Sequence, residues 1–393
     1  MNNRPDARRG SVGTALLTLG RLPKGLDIAR SLAQAGWRVL VAEPGKRHLC
    51  GSSRFVTRSF QVAKPVSHPQ QYHEDLLNII RDEGVDMVVP VSEECLHVAA
   101  LHDRLPEGVR MLAMPPDELL AVHGKWSFVQ ICNELGIGAP KTCRLNDPGA
   151  LDITHPNGAV VKQEFSCAGV GLAMVEAGQP LPQRENPQTW LVQERIVGKE
   201  VCTFSVADRG RVLGTVVYRG TVVSGTVAVC FERIDPDPEV INWVNTFIEG
   251  SGCSGFIGLD LMVDNTGKVF GLECNPRATS GLHFFQADDL AQAIVTPEKC
   301  AELNVRPQRL LQQFYPCLTE TQLSLPNLKK FLGNLGQLFR ARDVTFMWSD
   351  PLPFLLLPYT AWSILSLTVF KGMSFGEAAT WDVEWTPPAE VSN

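Results

Sequence analysis

The sequence predicts a multidomain protein of α/β and α+β class: a parallel-sheet lobe first, a region of antiparallel hairpins next, and a helical extension last. Three observations lead there. Residues 15–43 read as strand, helix and strand; residues 160–275 change to short strands separated by turn residues; after Leu282 helical spacing returns. At 393 residues the chain exceeds one ordinary domain, so several packed lobes are expected.

In the first lobe a short apolar run from Ala15 to Gly20 precedes Leu26, Ile28, Ala29, Leu32 and Ala33 at helical spacing. Gly36 stops that helix, and residues 37–42 give a second buried strand closing on Glu43. A further helix over about residues 70–83 leads into an apolar run at 85–91, with Glu93 and Glu94 just beyond its carboxyl end. The expected organisation is a disordered leader over 1–12, an α/β lobe over 13–115, and a small α+β lobe over 116–200. A larger α+β lobe over 201–300 and a helical extension over 301–393 follow. The turn Gly20-Arg21-Leu22-Pro23 lacks GxGxxG, which leaves dinucleotide binding a weak reading.

A formal charge of -6, with acids and bases interspersed, gives no concentrated cationic face for nucleic acid. Eleven cysteines are scattered singly without a CxxC pair, which suits reduced thiols and a cytoplasmic location. The first apolar run is broken by Arg21 and is too short for a secretory signal.

Three segments can carry chemistry. VVKQEFSCAGVGL puts Lys162 at a strand end and Ser166, Ala168, Gly169 and Gly171 in the loop after it. Small residues let backbone N–H groups approach phosphate oxygens, and the ammonium adds a mobile charge. The same pattern also suits a plain hairpin turn. LVQERIVGKEV follows an apolar strand with Gln193, Glu194, Val197 and Glu200, which suits a purine slot with a carboxylate for a ribose, or an amphipathic strand with a solvated face. The third segment is the most specific. FIGLDLMV carries Asp260 in an apolar run, and after a DNTG turn VFGLECNPR carries Glu273, Asn275 and Arg277. Two hairpin strands ending in oxygen ligands form a half-cage for a hard cation that keeps waters and bridges phosphates. Positions 273, 275 and 277 share one strand face because side chains alternate. His283 and Arg219 are candidate substrate contacts, and equally a packed histidine and a surface arginine.

In their order, Lys125, the VVKQEFSCAGVG loop, QERIVGKE, GLDLMV and LECNPRATSG resemble the ATP-grasp superfamily, and within it the carboxylate-amine ligases and the carbamoyl-phosphate synthase large-chain module, over roughly residues 14–290. The resemblance implies a pre-ATP-grasp α/β lobe followed by two α+β lobes that clamp ATP. It implies that Lys125 and Lys162, with Ser166 and Gly169 of the loop, meet the phosphates; that Gln193, Glu194 and Val197 border the adenine; and that Glu200 holds the ribose. Asp260, Glu273 and Asn275 would bind Mg²⁺ (or Mn²⁺), and Arg277 the γ-phosphate or an acyl phosphate. The implied activity is ADP-forming ligation of a small carboxylic acid to an amine or thiol. A kinase or carboxylase on the same fold, and a non-catalytic nucleotide-binding module, are the alternatives. Cys167 and Val170 leave the loop poorer in glycine than rich examples, and the tail beyond residue 300 has no counterpart in the minimal core.

That tail contains a twenty-residue run without charge at 351–370, long enough to span a membrane but broken by Pro351, Pro353 and Pro358. Just upstream, Leu328, Phe331, Leu332, Leu335, Leu338 and Phe339 recur at helical spacing beside Lys329, Lys330, Arg340 and Arg342. A basic amphipathic helix can lie on a membrane surface; the favoured expectation is that both helices pack on the core.

Overall fold

The four residues Thr14–Leu17 form β1 at the centre of the first sheet because all four are buried. In the computed structural model, residues 11–387 are described, apart from 155, 167–170, 226 and 374. Most of the expected leader and Gly169 therefore lie outside the described residues. α1 (Pro23–Gln34) starts with proline, whose missing N–H costs nothing in a first turn. β2 (Arg38–Glu43), β3 (Arg58–Gln61), α2 (Pro69–Glu83), β4 (Met87–Val89), α3 (Cys95–Ala99) and β5 (Arg110–Met111) follow. The five strands are all parallel in the order β3-β2-β1-β4-β5. The order reverses between β1 and β4, so their carboxyl ends open the crevice where such sheets take ligands. Glu93 stands at that end of β4.

α4 (Pro116–His123) and α5 (Lys125–Glu134) lead to a four-stranded antiparallel sheet of β6 (Thr142–Arg144), β7 (Ala159–Gln163), β8 (Ala173–Val175) and β9 (Trp190–Glu194), in the order β6-β9-β7-β8. A larger sheet then runs through β10 (Gly198–Asp208), β11 (Arg211–Ser224), β12 (Val227–Arg233), β13 (Gly255–Asp264) and β14 (Val269–Asn275). Its order is β14-β13-β10-β11-β12-β15-β16, where β15 is Leu310–Gln312 and β16 is Arg342–Asp343.

α6 (Pro238–Ser251) crosses one face of this sheet. Asp237 caps it by accepting from Glu239 N, and Gly252 at φ 68° ends it in the left-handed region that glycine tolerates. Val240, Trp243, Val244, Phe247 and Ile248 form its buried stripe against Val217, Leu259 and Leu261 of the sheet. Each such side chain contributes about 1.5–3 kcal/mol by leaving water. The opposite face meets α1 and α7 (Ala287–Val295) through Phe204, Phe231, Phe284 and Phe285.

The extension is helical, as expected, and adds two short strands to the large sheet. It holds α8 (Phe314–Leu323), α9 (Leu328–Arg340), α10 (Leu352–Leu355), α11 (Leu357–Thr360), α12 (Trp362–Lys371) and α13 (Phe375–Thr380), and the strands it adds are β15 and β16. β15 covers the open edge of β12 through pairs such as Phe231 with Leu311, and a three-residue strand is too short to show a period. The uncharged run breaks into α10, α11 and α12, where Pro353 and Pro358 each sit in a helix's first turn. Among the described residues no helix is long and apolar enough to cross a membrane. The favoured packing of α9 fails in part: Asn334 and Leu338 are its buried residues, while Leu328, Leu332 and Phe339 are exposed.

The end of the described chain returns to the first lobe. Asp382 pairs with Arg21, and His97 Nε2 lies 3.5 Å from the Glu384 carbonyl oxygen. Burial pushes His97 down to about 4 from an ordinary 6.5. A folded pKa below the unfolded one means stability that is full above pH 6.5 and is lost as pH falls toward 4. The expected contribution is no more than about 3 kcal/mol at the acid end. Thermal melts between those pH values should therefore fall less steeply for His97→Gln than for the parent; parallel curves would show that His97 is not held neutral.

Candidate functional site

β13 and β14 pair so that Asp260 stands opposite Glu273. The same row continues to Cys202 on β10 and Tyr218 on β11. Directly paired residues project from one face, so Tyr218, Cys202, Asp260 and Glu273 form a line ending in two carboxylates at the sheet edge. The register shifts between Asp260 and Leu261, which places Gly271, rather than a side chain, opposite Leu261. Asn275 shares the face of Glu273 and donates Nδ2–H to Asp260 Oδ2 at 3.0 Å. Arg277 Nη2 donates to Asn275 Oδ1 at 2.9 Å and pairs with Glu93 at the end of β4.

Two lysines approach from the other side. Lys162, on β7 of the four-stranded sheet, is buried and donates Nζ–H to the Leu272 carbonyl at 3.1 Å. Lys125 opens α5; its Nζ donates to Ser166 O at 2.7 Å and lies 3.4 Å from Glu273 Oε2. The carboxylates titrate apart. Burial, then the charge of Glu273, pushes Asp260 up to about 7. Burial would raise Glu273 too, but Lys125 and Lys162 outweigh it and hold it at about 2. Burial lowers Lys162 to about 8 against the pull of Glu273. A proton on this pair therefore rests on Asp260.

That asymmetry tests the donor set for a metal. Two adjacent carboxylates repel, and a divalent cation between them would displace the proton and neutralise both. Asp260 and Glu273 offer hard oxygens that fit Mg²⁺ or Mn²⁺, and Asn275 would join them by turning its amide, whose Nδ2–H here faces Asp260 and whose Oδ1 accepts from Arg277. Among the described residues no group of three or more His, Cys, Asp and Glu side chains is placed to hold a metal, so a cation here would take its remaining ligands from elsewhere.

The other expected residues are placed as follows. Gln193 is buried and donates Nε2–H to Thr142 Oγ1 at 3.0 Å, and Glu194 Oε1 accepts from Lys141 N at 2.8 Å. Val197 is exposed; Glu200 is exposed too, two residues before Cys202 and so on the carboxylate face. The structure does not bring Arg219 to this group. It directly follows Tyr218, so it projects from the opposite face, where Nη2 pairs with Glu232 at 2.8 Å. His283 is 2% exposed, with Nδ1 2.8 Å from Asp27 Oδ2 and its ring stacked on Phe231. It packs α1 against the sheet rather than facing Asp260.

Sequence reasoning missed four neighbours of the group: Glu93, His123, Cys202 and Tyr218. Glu93 carried a signal, being an acid at a strand's carboxyl end; Cys202 and Tyr218 join the row only through register. His123 and Glu93 line a small cavity with Ser166 and Trp385, and burial pushes His123 down to about 4.

Comparisons with known proteins find similarity in sequence and in fold. Residues 122–281 match the family model of the ATP-grasp domain. The chain is 25% identical over 248 residues to the "carbamoyl phosphate synthase large chain, C-terminal section" of Methanopyrus kandleri, a match covering 54% of this chain and 43% of the relative. The matched region thus spans less than half of that relative's length. Similar folds are seen in N5-carboxyaminoimidazole synthetase of Staphylococcus aureus complexed with ADP, with a TM-score of 0.61, 13% identity, and coverage of 82% of this chain and 86% of that one. Biotin carboxylase of Campylobacter jejuni gives a TM-score of 0.59 at 13% identity over 76% and 74%. L-amino acid ligase of Bacillus licheniformis gives 0.55 at 13% over 77% and 79%.

Proposed function

We propose that this chain is an ADP-forming ligase that activates a small carboxylic acid as an acyl phosphate and transfers the acyl group to an amine. One observation carries the reading: the Asp260 and Glu273 carboxylates at the edge of one sheet face Lys125 and Lys162 from the other side. Anions flanked by cations in a mostly buried setting suit a metal-bound polyphosphate, because phosphoryl transfer needs charge neutralisation and alignment more than covalent help.

In this reading Asp260, Glu273 and Asn275 hold Mg²⁺, which when bound would neutralise phosphate charge. Lys125, Lys162 and the Ser166 loop hold the phosphates, and Gln193, Glu194, Val197 and Glu200 border the nucleoside. A substrate carboxylate oxygen attacks the γ-phosphorus and ADP leaves. The amine nitrogen attacks the acyl carbon, inorganic phosphate leaves, and the amine gives up a proton. Arg277, held by Asn275 and Glu93, would balance the charge of the acyl phosphate.

Hydroxylamine tests this directly. With ATP, Mg²⁺ and a panel of carboxylic acids, the correct acid should give ADP and a hydroxamate. AMP and pyrophosphate would show adenylation instead. A phosphorylated product that survives without trapping would mark a kinase, and incorporation of bicarbonate a carboxylase.

A further inference from the structure

α9 leaves its apolar residues outside. Leu328, Leu332 and Phe339 are 67%, 57% and 80% exposed, and their spacing of four and seven puts them on one stripe. Trp348, Trp362 and Phe370 stand in solvent on the segments that follow. Most of the exposed large hydrophobic side chains among the described residues lie between positions 323 and 381. An apolar stripe left uncovered on a helix marks an interaction site.

Along this stretch of chain the exposed charges are of one sign. Between positions 323 and 372 the bases are Lys329, Lys330, Arg340, Arg342 and Lys371, and all five are exposed. The acids in the same stretch are Asp343 and Asp350. Both turn inward: Asp343 accepts from the backbone N–H groups of Phe314, Thr345 and Phe346, and Asp350 is 2% exposed beside Arg30.

We infer that this face of the extension docks on an anionic bilayer surface. The Leu328, Leu332 and Phe339 stripe would enter the headgroup boundary, with Lys329, Lys330 and Arg340 among lipid phosphates. Trp348, Tyr359 and Trp362 are the aromatic types that settle at that depth. A second copy of the chain is a poorer occupant, because it would bring the same cations against themselves. Since no described helix is long and apolar enough to cross, the extension lies on the bilayer rather than through it. This inference is independent of the ligase reading.

The test is co-sedimentation of the full chain with phosphatidylcholine vesicles containing about one third phosphatidylglycerol, against phosphatidylcholine alone. The protein should pellet with the anionic vesicles only, and less so as salt rises from about 0.1 to about 1 M. Lys329→Glu with Lys330→Glu should lower binding at least about tenfold. Leu328→Ser with Leu332→Ser and Phe339→Ser should do the same. If the triple variant folds poorly, the lysine pair, exposed in the structure, gives the answer alone. Protein left in the supernatant with anionic vesicles overturns the inference, as does binding that neither variant reduces. So does a dimer in sedimentation velocity that the serine variant dissolves, since a second copy would then cover the face.

Discussion

Glu273→Gln should lower turnover by at least about a hundredfold to a thousandfold while leaving the fold intact. The substitution keeps shape and removes one charge at the point where three groups converge. Lys125 Nζ sits 3.4 Å from Glu273 Oε2, Lys162 holds the adjacent Leu272 carbonyl, and Asp260 stands directly across the hairpin. A neutral amide there leaves the lysines without their shared counter-ion and withdraws one of two carboxylates from a cation site. Because the buried Lys125 and Lys162 hold Glu273 at about 2, the neutral amide also lowers stability, so turnover is compared at a temperature where both proteins are folded. ADP release measured across a Mg²⁺ titration should show lower turnover and a higher metal requirement, with the native circular-dichroism spectrum kept at the assay temperature. Turnover within about threefold of the parent would remove Glu273 from the metal site.

Why this hairpin could be read from sequence, and its surroundings less so, follows from the range of the signals. A single acid in an apolar run, a DNTG turn and a second acid-bearing strand are all local, and strand alternation then fixes the shared face of Glu273 and Asn275. α6 carries equally local marks, since Asp237, Pro238 and Gly252 define both its ends. The meeting of Arg277 with Glu93 is not local; it depends on how β4 of the first lobe faces the hairpin. Cys202 and Tyr218 reach the carboxylate row only through pairings that a one-residue slip would reverse, and the same alternation sends Arg219 to the far face. Periodicity identified the stripe on α9 but could not say whether protein covers it. There Asn334 turns inward, toward Ser324 Oγ at 3.4 Å, and the leucines turn out.

Asp350→Ala should be the most damaging single change outside the site, costing about 3–5 kcal/mol. Asp350 joins the extension to the first lobe. Its carboxylate accepts from Arg30 Nε at 3.0 Å, from Ser53 Oγ at 2.7 Å and from Arg54 N at 3.0 Å, and both partners of the ion pair are 2% exposed. Arg30 Nη2 also donates to the Thr345 carbonyl at 2.9 Å, so one guanidinium on α1 fixes the chain on both sides of the Trp348 turn. Removing the carboxylate takes from a buried cation its hydrogen-bonded counter-ion and leaves only the more distant Asp27, which is worse than having neither charge. The melting midpoint should fall by about 5 °C. The paired replacement Arg30→Met with Asp350→Leu should recover most of that loss, because no unpaired charge remains. Arg219→Ala serves as the contrast: its pair with Glu232 is exposed, and its loss should cost less than about 1 kcal/mol. If Asp350→Ala melts within a degree or two of the parent, the ion pair does not anchor the extension, and the contacts of α8 and β15 with β12 must hold it instead.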